Sequence, residues 1–133
     1  MPVDLQGLRV LFVEDESIVA MLTEDMLSDL GCELSAVAGN VEDALVAVAA
    51  GGFDIALLDI NLAGAKVFPV ASALDRLGIP FAFASGYGGA GVPVEFAGVP
   101  VIAKPFTIMD LAWVLQAAFA RGKAGCAVPQ VSP

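Results

Sequence analysis

The chain contains no histidine. That absence excludes a His-ligated zinc site, a Ser-His triad and a phosphohistidine carried by the chain itself. Basic residues are also scarce. Six Lys and Arg stand against fifteen Asp and Glu, for a net charge of -9. No basic cluster is visible, which argues against nonspecific nucleic-acid binding. Part of the negative charge would be offset if an acidic cluster bound a cation. Cysteine is limited to Cys32 and Cys126, which lie far apart in sequence and read as inert small side chains kept reduced. The longest uncharged run, Leu77 to Val94, is broken by Gly78, Pro80, Gly86, Gly88, Gly89, Gly91 and Pro93, so it is no continuous spanning helix. The start, Met1-Pro2-Val3-Asp4, has no basic segment leading into a long apolar one, so no signal peptide is evident. A cytoplasmic protein without membrane or nucleic-acid partners is the expectation.

What is present is a core. Apolar residues make up 58% of 133 residues and charged residues 16%, which excludes disorder and fits one domain. Leu8 to Val13 reads as a central strand. From Glu16 to Leu30, Ile18, Met21, Leu22, Met26 and Leu30 recur at helical spacing, and Gly31 stops the helix. Leu34 to Ala38 is a second, weaker strand. Asn40 is a plausible N-cap for a helix over Val41 to Ala50, which Gly51-Gly52 ends. Phe53 to Leu58 is a third strand, apolar without alternation, as a strand covered on both faces should be. Asn61 to Gly64 reads as a loop. A helix follows from about Val67 to Leu77, with Pro69 in its first turn and Gly78 at its end. Ile79 to Ala84 is the fourth strand.

Five glycines and Pro93 in residues 86–98 leave room for a short helix at most. Val99 to Ala103 is the fifth strand, placed at a sheet edge because Pro100 cannot donate a ladder hydrogen bond. Thr107 and Asp110 have capping-box spacing for a last helix to about Arg121. Residues 122–133 read as a flexible C-terminal tail after a domain over 1–121. Alternation of strand and helix predicts an α/β fold, a doubly wound five-stranded parallel sheet with a short or irregular fourth helix.

In such sheets, sites form beyond the carboxyl ends of the strands. Glu14 and Asp15, Asp59, Ser85 and Lys104 follow strands one, three, four and five. Polar groups from four strands therefore converge on one rim. The carboxylates of Asp15, Asp59 and Glu14 repel one another unless neutralised, and Mg2+ or Mn2+ suits an oxygen-only site. A cation, a lysine and a hydroxyl around one carboxylate suit phosphoryl transfer with Asp59 as nucleophile.

These residues resemble the receiver domain of response regulators (CheY-like) over residues 8–121. The matching features are Val13-Glu14-Asp15-Glu16, Leu57-Leu58-Asp59, Ser85 and Lys104-Pro105-Phe106. Pro80-Phe81-Ala82-Phe83-Ala84-Ser85-Gly86-Tyr87 is similar to the PFxFATGY signature of the FAT GUY single-domain receivers of α-proteobacteria, with Ser85 for Thr. The resemblance implies the strand order 2-1-3-4-5. It implies that Asp59 accepts a phosphoryl group from a sensor histidine kinase or histidine phosphotransfer protein. It also implies Mg2+ held by Asp15, Asp59 and the backbone carbonyl of Asn61, with Glu14 acting through water, and Ser85 and Lys104 on the phosphoryl group. The lifetime of that group should depend on Asn61 and Tyr87.

Three features depart from the family pattern. Val101 stands where receivers carry the Tyr or Phe of their aromatic switch, a role that Tyr87 is a candidate to take over. Ala63 stands where many have Pro. The glycine-rich segment replaces a regular fourth helix, which alters the surface many receivers use to dimerise. An effector domain does not fit in this length, so output is expected through a downstream protein or onward phosphoryl transfer. Trp113 points away from the stripe Ile108, Leu111, Leu115 and Phe119 on the last helix. It is either a contact surface or partly covered by a neighbouring element. Two other readings remain open. One is a receiver-like binding module independent of phosphorylation. The other is a small phosphatase, disfavoured because Asn61 stands where a second Asp would be the general acid.

Overall fold

The computed structural model describes residues 5–86 and 91–127, with side chains to residue 121. Tyr87, Cys126 and the tail after Ala127 lie outside these described positions or side chains.

The central sheet consists of β1 (Arg9–Val13), β2 (Glu33–Ala38), β3 (Ile55–Asp59), β6 (Phe81–Ser85) and β7 (Val101–Ala103). They run in parallel in the order β2-β1-β3-β6-β7. Setting aside a small hairpin, this is the expected 2-1-3-4-5 order. β7 is an edge strand, as Pro100 required, but starts two residues later than expected. The carbonyl of Pro100 still accepts from Phe83 N (2.9 Å), while its ring nitrogen has no proton to give.

Both sheet faces are covered. Leu57 and Ile55 of β3 pack with Val10, Phe12, Leu27, Leu111 and Leu115, towards α1 (Ser17–Asp29) and α4 (Ile108–Ala127). Ala56 and Leu58 face the other way, with Val48, Val70, Ala71 and Leu74 of α2 (Val41–Ala50) and α3 (Phe68–Arg76). Every residue of β3 is buried, which is why its sequence shows no alternation.

The helix ends follow sequence chemistry. Asn40 Oδ1 accepts from Asp43 N at 2.8 Å, so the N-cap of α2 is as expected. Thr107 N donates to Asp110 Oδ2 (3.0 Å) and Asp110 N donates to Thr107 Oγ1 (3.1 Å), closing the capping box of α4. That helix runs six residues past Arg121. Gly31 ends α1 in a Schellman motif. Its N–H donates to Ser28 O, Cys32 N donates to Leu27 O, and its φ of 82° is open to glycine at no steric cost.

One expectation needs correction. Asn61 to Gly64 is not plain loop. Asn61–Leu62 (β4) pairs antiparallel with Ala65–Lys66 (β5), as a hairpin whose turn residues Ala63 and Gly64 have φ of 50° and 83°. Two positive φ values in a two-residue turn suit the twist of a tight hairpin. The apolar stripe of α1 forms a helix, but Ile18, Met21 and Leu22 are 72%, 65% and 56% exposed, while Thr23 and Leu27 are buried. Periodicity located the helix without identifying the face that meets the sheet.

In residues 86–98 the described helix is a single 3-10 turn, Val94–Phe96. It delivers Phe96 into a cluster with Phe68, Phe81 and Phe83, with ring centroids 5.7 to 6.0 Å apart. One buried ring thus supplies packing where the described residues form no longer helix. No helix among the described residues is long and apolar enough to cross a membrane.

Candidate functional site

Strand order reverses direction at β1 and β3, since the chain leaves β1 for β2 on one side and reaches β3 on the other. A crevice opens there, beyond the carboxyl ends of the strands. It is a cleft of about 700 Å³, with Asp15, Asp59, Asn61, Lys66, Gly86 and Lys104 in its walls.

Asp59 is the last residue of β3 and only 5% exposed. Its Oδ2 accepts from Lys104 Nζ at 3.1 Å. The same ammonium donates to Glu14 Oε1 at 3.0 Å and lies 3.6 Å from Glu16 Oε1. Lys104 follows β7, whose end is tied to β6 by Lys104 N donating to Ser85 O at 2.9 Å. One backbone bond therefore fixes the ends of two strands beside Asp59. Asp15, exposed at the rim, accepts from Ala63 N at 3.0 Å.

The structure thus brings Glu14, Asp15, Asp59 and Lys104 together, with Asn61 in the same cleft. Ser85 is buried at the end of β6, its carbonyl bonded to the Lys104 N–H. Val101 is half-buried against the aromatic side of the core, in register with Phe83. A small aliphatic side chain thus stands where the resemblance leads one to expect an aromatic ring.

The electrostatics show an excess of negative charge. Burial pushes the Glu14 carboxyl up to about 7 from its ordinary 4.5, and Asp59 adds to this through a hydrogen bond and its charge. Lys104 and the Glu16 N–H pull the other way without balancing it. Burial acts to lower the Lys104 pKa, but its bonds to Glu14 and Asp59 prevail and raise it. Three carboxyl groups thus crowd around one ammonium, an excess of acidic groups that a divalent cation would offset.

Glu14, Asp15 and Asp59 each offer an oxygen, all within 4.8 Å of one another. Oxygens arranged octahedrally around Mg2+ at about 2.1 Å lie within that span. The residues present therefore fit the hard, oxygen-preferring cation expected from the sequence.

One cleft residue was missed by the sequence reading. Lys66 lies directly across the hairpin from Asn61, and its Nζ donates to Asn61 Oδ1. Its scarcity was the available signal. In a chain with six Lys and Arg, a lysine seven residues after the central Asp stands out.

A second, apolar groove of about 270 Å³ adjoins the cleft. Val19, Leu22, Met26, Pro105 and Phe106 line it, and Lys104 belongs to both.

No family model and no curated protein matches the chain. Solved structures do. The chain is 42% identical to SdrG from Sphingomonas melonis Fr1, covering 84% of this chain and 96% of that one, with a TM-score of 0.76. The BeF3-activated conformation of SdrG, from Pseudomonas melonis Fr1, matches at 41% identity over 84% and 95% of the two chains, TM-score 0.73. The signal receiver domain of a modulated diguanylate cyclase from Desulfovibrio desulfuricans G20 matches at 26% over 90% and 99%, TM-score 0.75. The sheet order, the acid-lined crevice at its switch point and a relative this similar over nearly its whole length agree, and the chain belongs to the CheY-like receiver domains of response regulators.

Proposed function

We propose that this receiver is a single-domain response regulator that accepts a phosphoryl group on Asp59 from the phosphohistidine of a sensor histidine kinase or histidine phosphotransfer protein. It then signals by binding another protein or by passing the group on. The observation that carries this reading is the Lys104 ammonium held between two buried carboxylates, Glu14 and Asp59, at the base of an open cleft. Support also comes from SdrG, which has been seen in a BeF3-activated conformation.

In the reaction, an Asp59 oxygen attacks phosphorus in line. The phosphorus–nitrogen bond breaks and its electron pair returns to the donor's imidazole. Lys104 balances charge on the phosphoryl oxygens, already fixed within hydrogen-bond distance of the nucleophile. Asp15, Asp59 and the Asn61 carbonyl, with Glu14 acting through water, would hold Mg2+ or Mn2+, which would supply further charge neutralisation there.

The donor is a protein, and it must bring its imidazole to a nearly buried carboxylate. Surfaces around the cleft then become contact surfaces. The groove with Leu22, Met26 and Phe106 shares Lys104 with the cleft, and exposed Ile18, Met21 and Leu22 extend it along α1. An apolar helix face beside the donor's phosphohistidine is the occupant that fits.

The test is incubation of the protein and its Asp59→Asn variant with Mg2+ and acetyl phosphate, or with a phosphorylated kinase, followed by intact mass. A base-labile adduct on the wild type alone is expected. Failure with every donor supports a binding module that works without phosphorylation. Rapid multiple turnover of a phosphomonoester supports a phosphatase, which Asn61 disfavours because an amide is no general acid.

A further inference from the structure

We infer that Lys66 is a positioning residue that slows the loss of the phosphoryl group from Asp59 to water, acting through Asn61. This inference rests on the phosphoacceptor reading of Asp59.

Asp59 is 5% exposed, so water reaches its phosphorus through the cleft. Asn61 and Lys66 form part of that passage. They are cross-strand partners in the β4–β5 hairpin, whose register places the two side chains side by side. Lys66 Nζ donates to Asn61 Oδ1. The hairpin is anchored at its turn, where Ala63, at φ 50°, gives its N–H to Asp15. The pair is therefore held in a fixed place relative to the carboxylates.

In hydrolysis, a water oxygen attacks phosphorus and the bond from phosphorus to the Asp59 oxygen breaks. The carboxylate keeps the electron pair, and the water's proton leaves with phosphate or to solvent. The attacking water is best held by a group that accepts a hydrogen bond from it. The amide oxygen of Asn61, two residues beyond Asp59, is such an acceptor. Lys66 occupies one of that oxygen's two lone pairs and fixes the plane of the amide, so the amide is no longer free to turn and hold the water in line. Lys66 is an exposed side chain whose described bond is to Asn61, so removing it leaves the core untouched.

The experiment loads the full chain with acetyl phosphate and Mg2+, removes donor, and follows adduct decay by intact mass. Wild type is compared with Lys66→Ala, Lys66→Arg, Asn61→Ala and the double variant Asn61→Ala/Lys66→Ala. Freeing one hydrogen-bond acceptor for the water should shorten the adduct's half-life roughly fivefold in Lys66→Ala. Lys66→Arg, which keeps a charged donor, should decay like the wild type. In the Asn61→Ala background, Lys66→Ala should change nothing. Equal decay of the wild type and Lys66→Ala overturns the inference. So does a faster decay that persists without Asn61, because Lys66 would then act by another route. Absence of any adduct on the wild type, with acetyl phosphate and with a phosphorylated kinase alike, overturns the phosphoacceptor reading, and this inference falls with it.

Discussion

Replacing Glu14 by Gln should make the cation-free protein lose its pH sensitivity near neutrality. In the native protein Glu14 holds its proton up to about pH 7, and in the unfolded chain it releases it near 4.5. Between those values the native state binds the extra proton, so the stability it contributes is complete below 4.5 and is lost as pH rises through 7. One proton of linkage is worth about 1.4 kcal/mol per pH unit, so the fall across this window is on the order of 3 kcal/mol. That is a large share of the 5–15 kcal/mol typical of a domain's total. Gln keeps the side chain's shape and an oxygen for Lys104, and it carries no charge at any pH. Urea unfolding in the presence of a chelator, at intervals from pH 5 to 8, is the assay. The wild type should weaken steadily as pH rises while Glu14→Gln stays level, and saturating Mg2+ should stabilise the wild type at pH 8 more than it stabilises the variant. Parallel curves for the two proteins would refute the reasoning, since they would mean that Glu14 ionises alike in both states.

Two further outcomes follow from the packing. Phe83, fully buried and in ring contact with Phe68, Phe81 and Phe96, should cost about 3–5 kcal/mol on truncation in Phe83→Ala, measured by urea unfolding. Leu22→Asp, on the exposed face of α1, should leave stability and loading by acetyl phosphate unchanged while slowing phosphoryl transfer from a kinase at least tenfold in single-turnover assays.

Much of this was legible in the residues. Asn40, Thr107 with Asp110, Gly31 and Gly78 act through local hydrogen bonds and backbone freedom, and local chemistry can be read from a sequence. The strand ends carrying Glu14, Asp15, Asp59 and Lys104 were legible too, because buried strands leave unbroken apolar runs and the rim residues follow them. The β4–β5 hairpin was not. Its strands have two residues each, too short to show alternation, and alanine at positive φ in its turn carries no compositional mark. The exposed side of α1 was hidden for another reason. A stripe of apolar residues has the same period whether it meets the sheet or another protein. Lys66 was overlooked because its partner is defined by hairpin register, which only the folded chain reveals.

Trp113 is the chain's single tryptophan, 55% exposed on α4 with Met109 one turn away, also exposed. With more than half of the residue in solvent, its emission is sensitive to being covered. The molecule therefore carries its own optical probe on a face separate from the acidic cleft. A partner covering that face would shift the emission to shorter wavelength, whereas chemistry confined to Asp59 would leave it where it is. Intrinsic fluorescence can thus distinguish recognition at α4 from events in the crevice, with no label added.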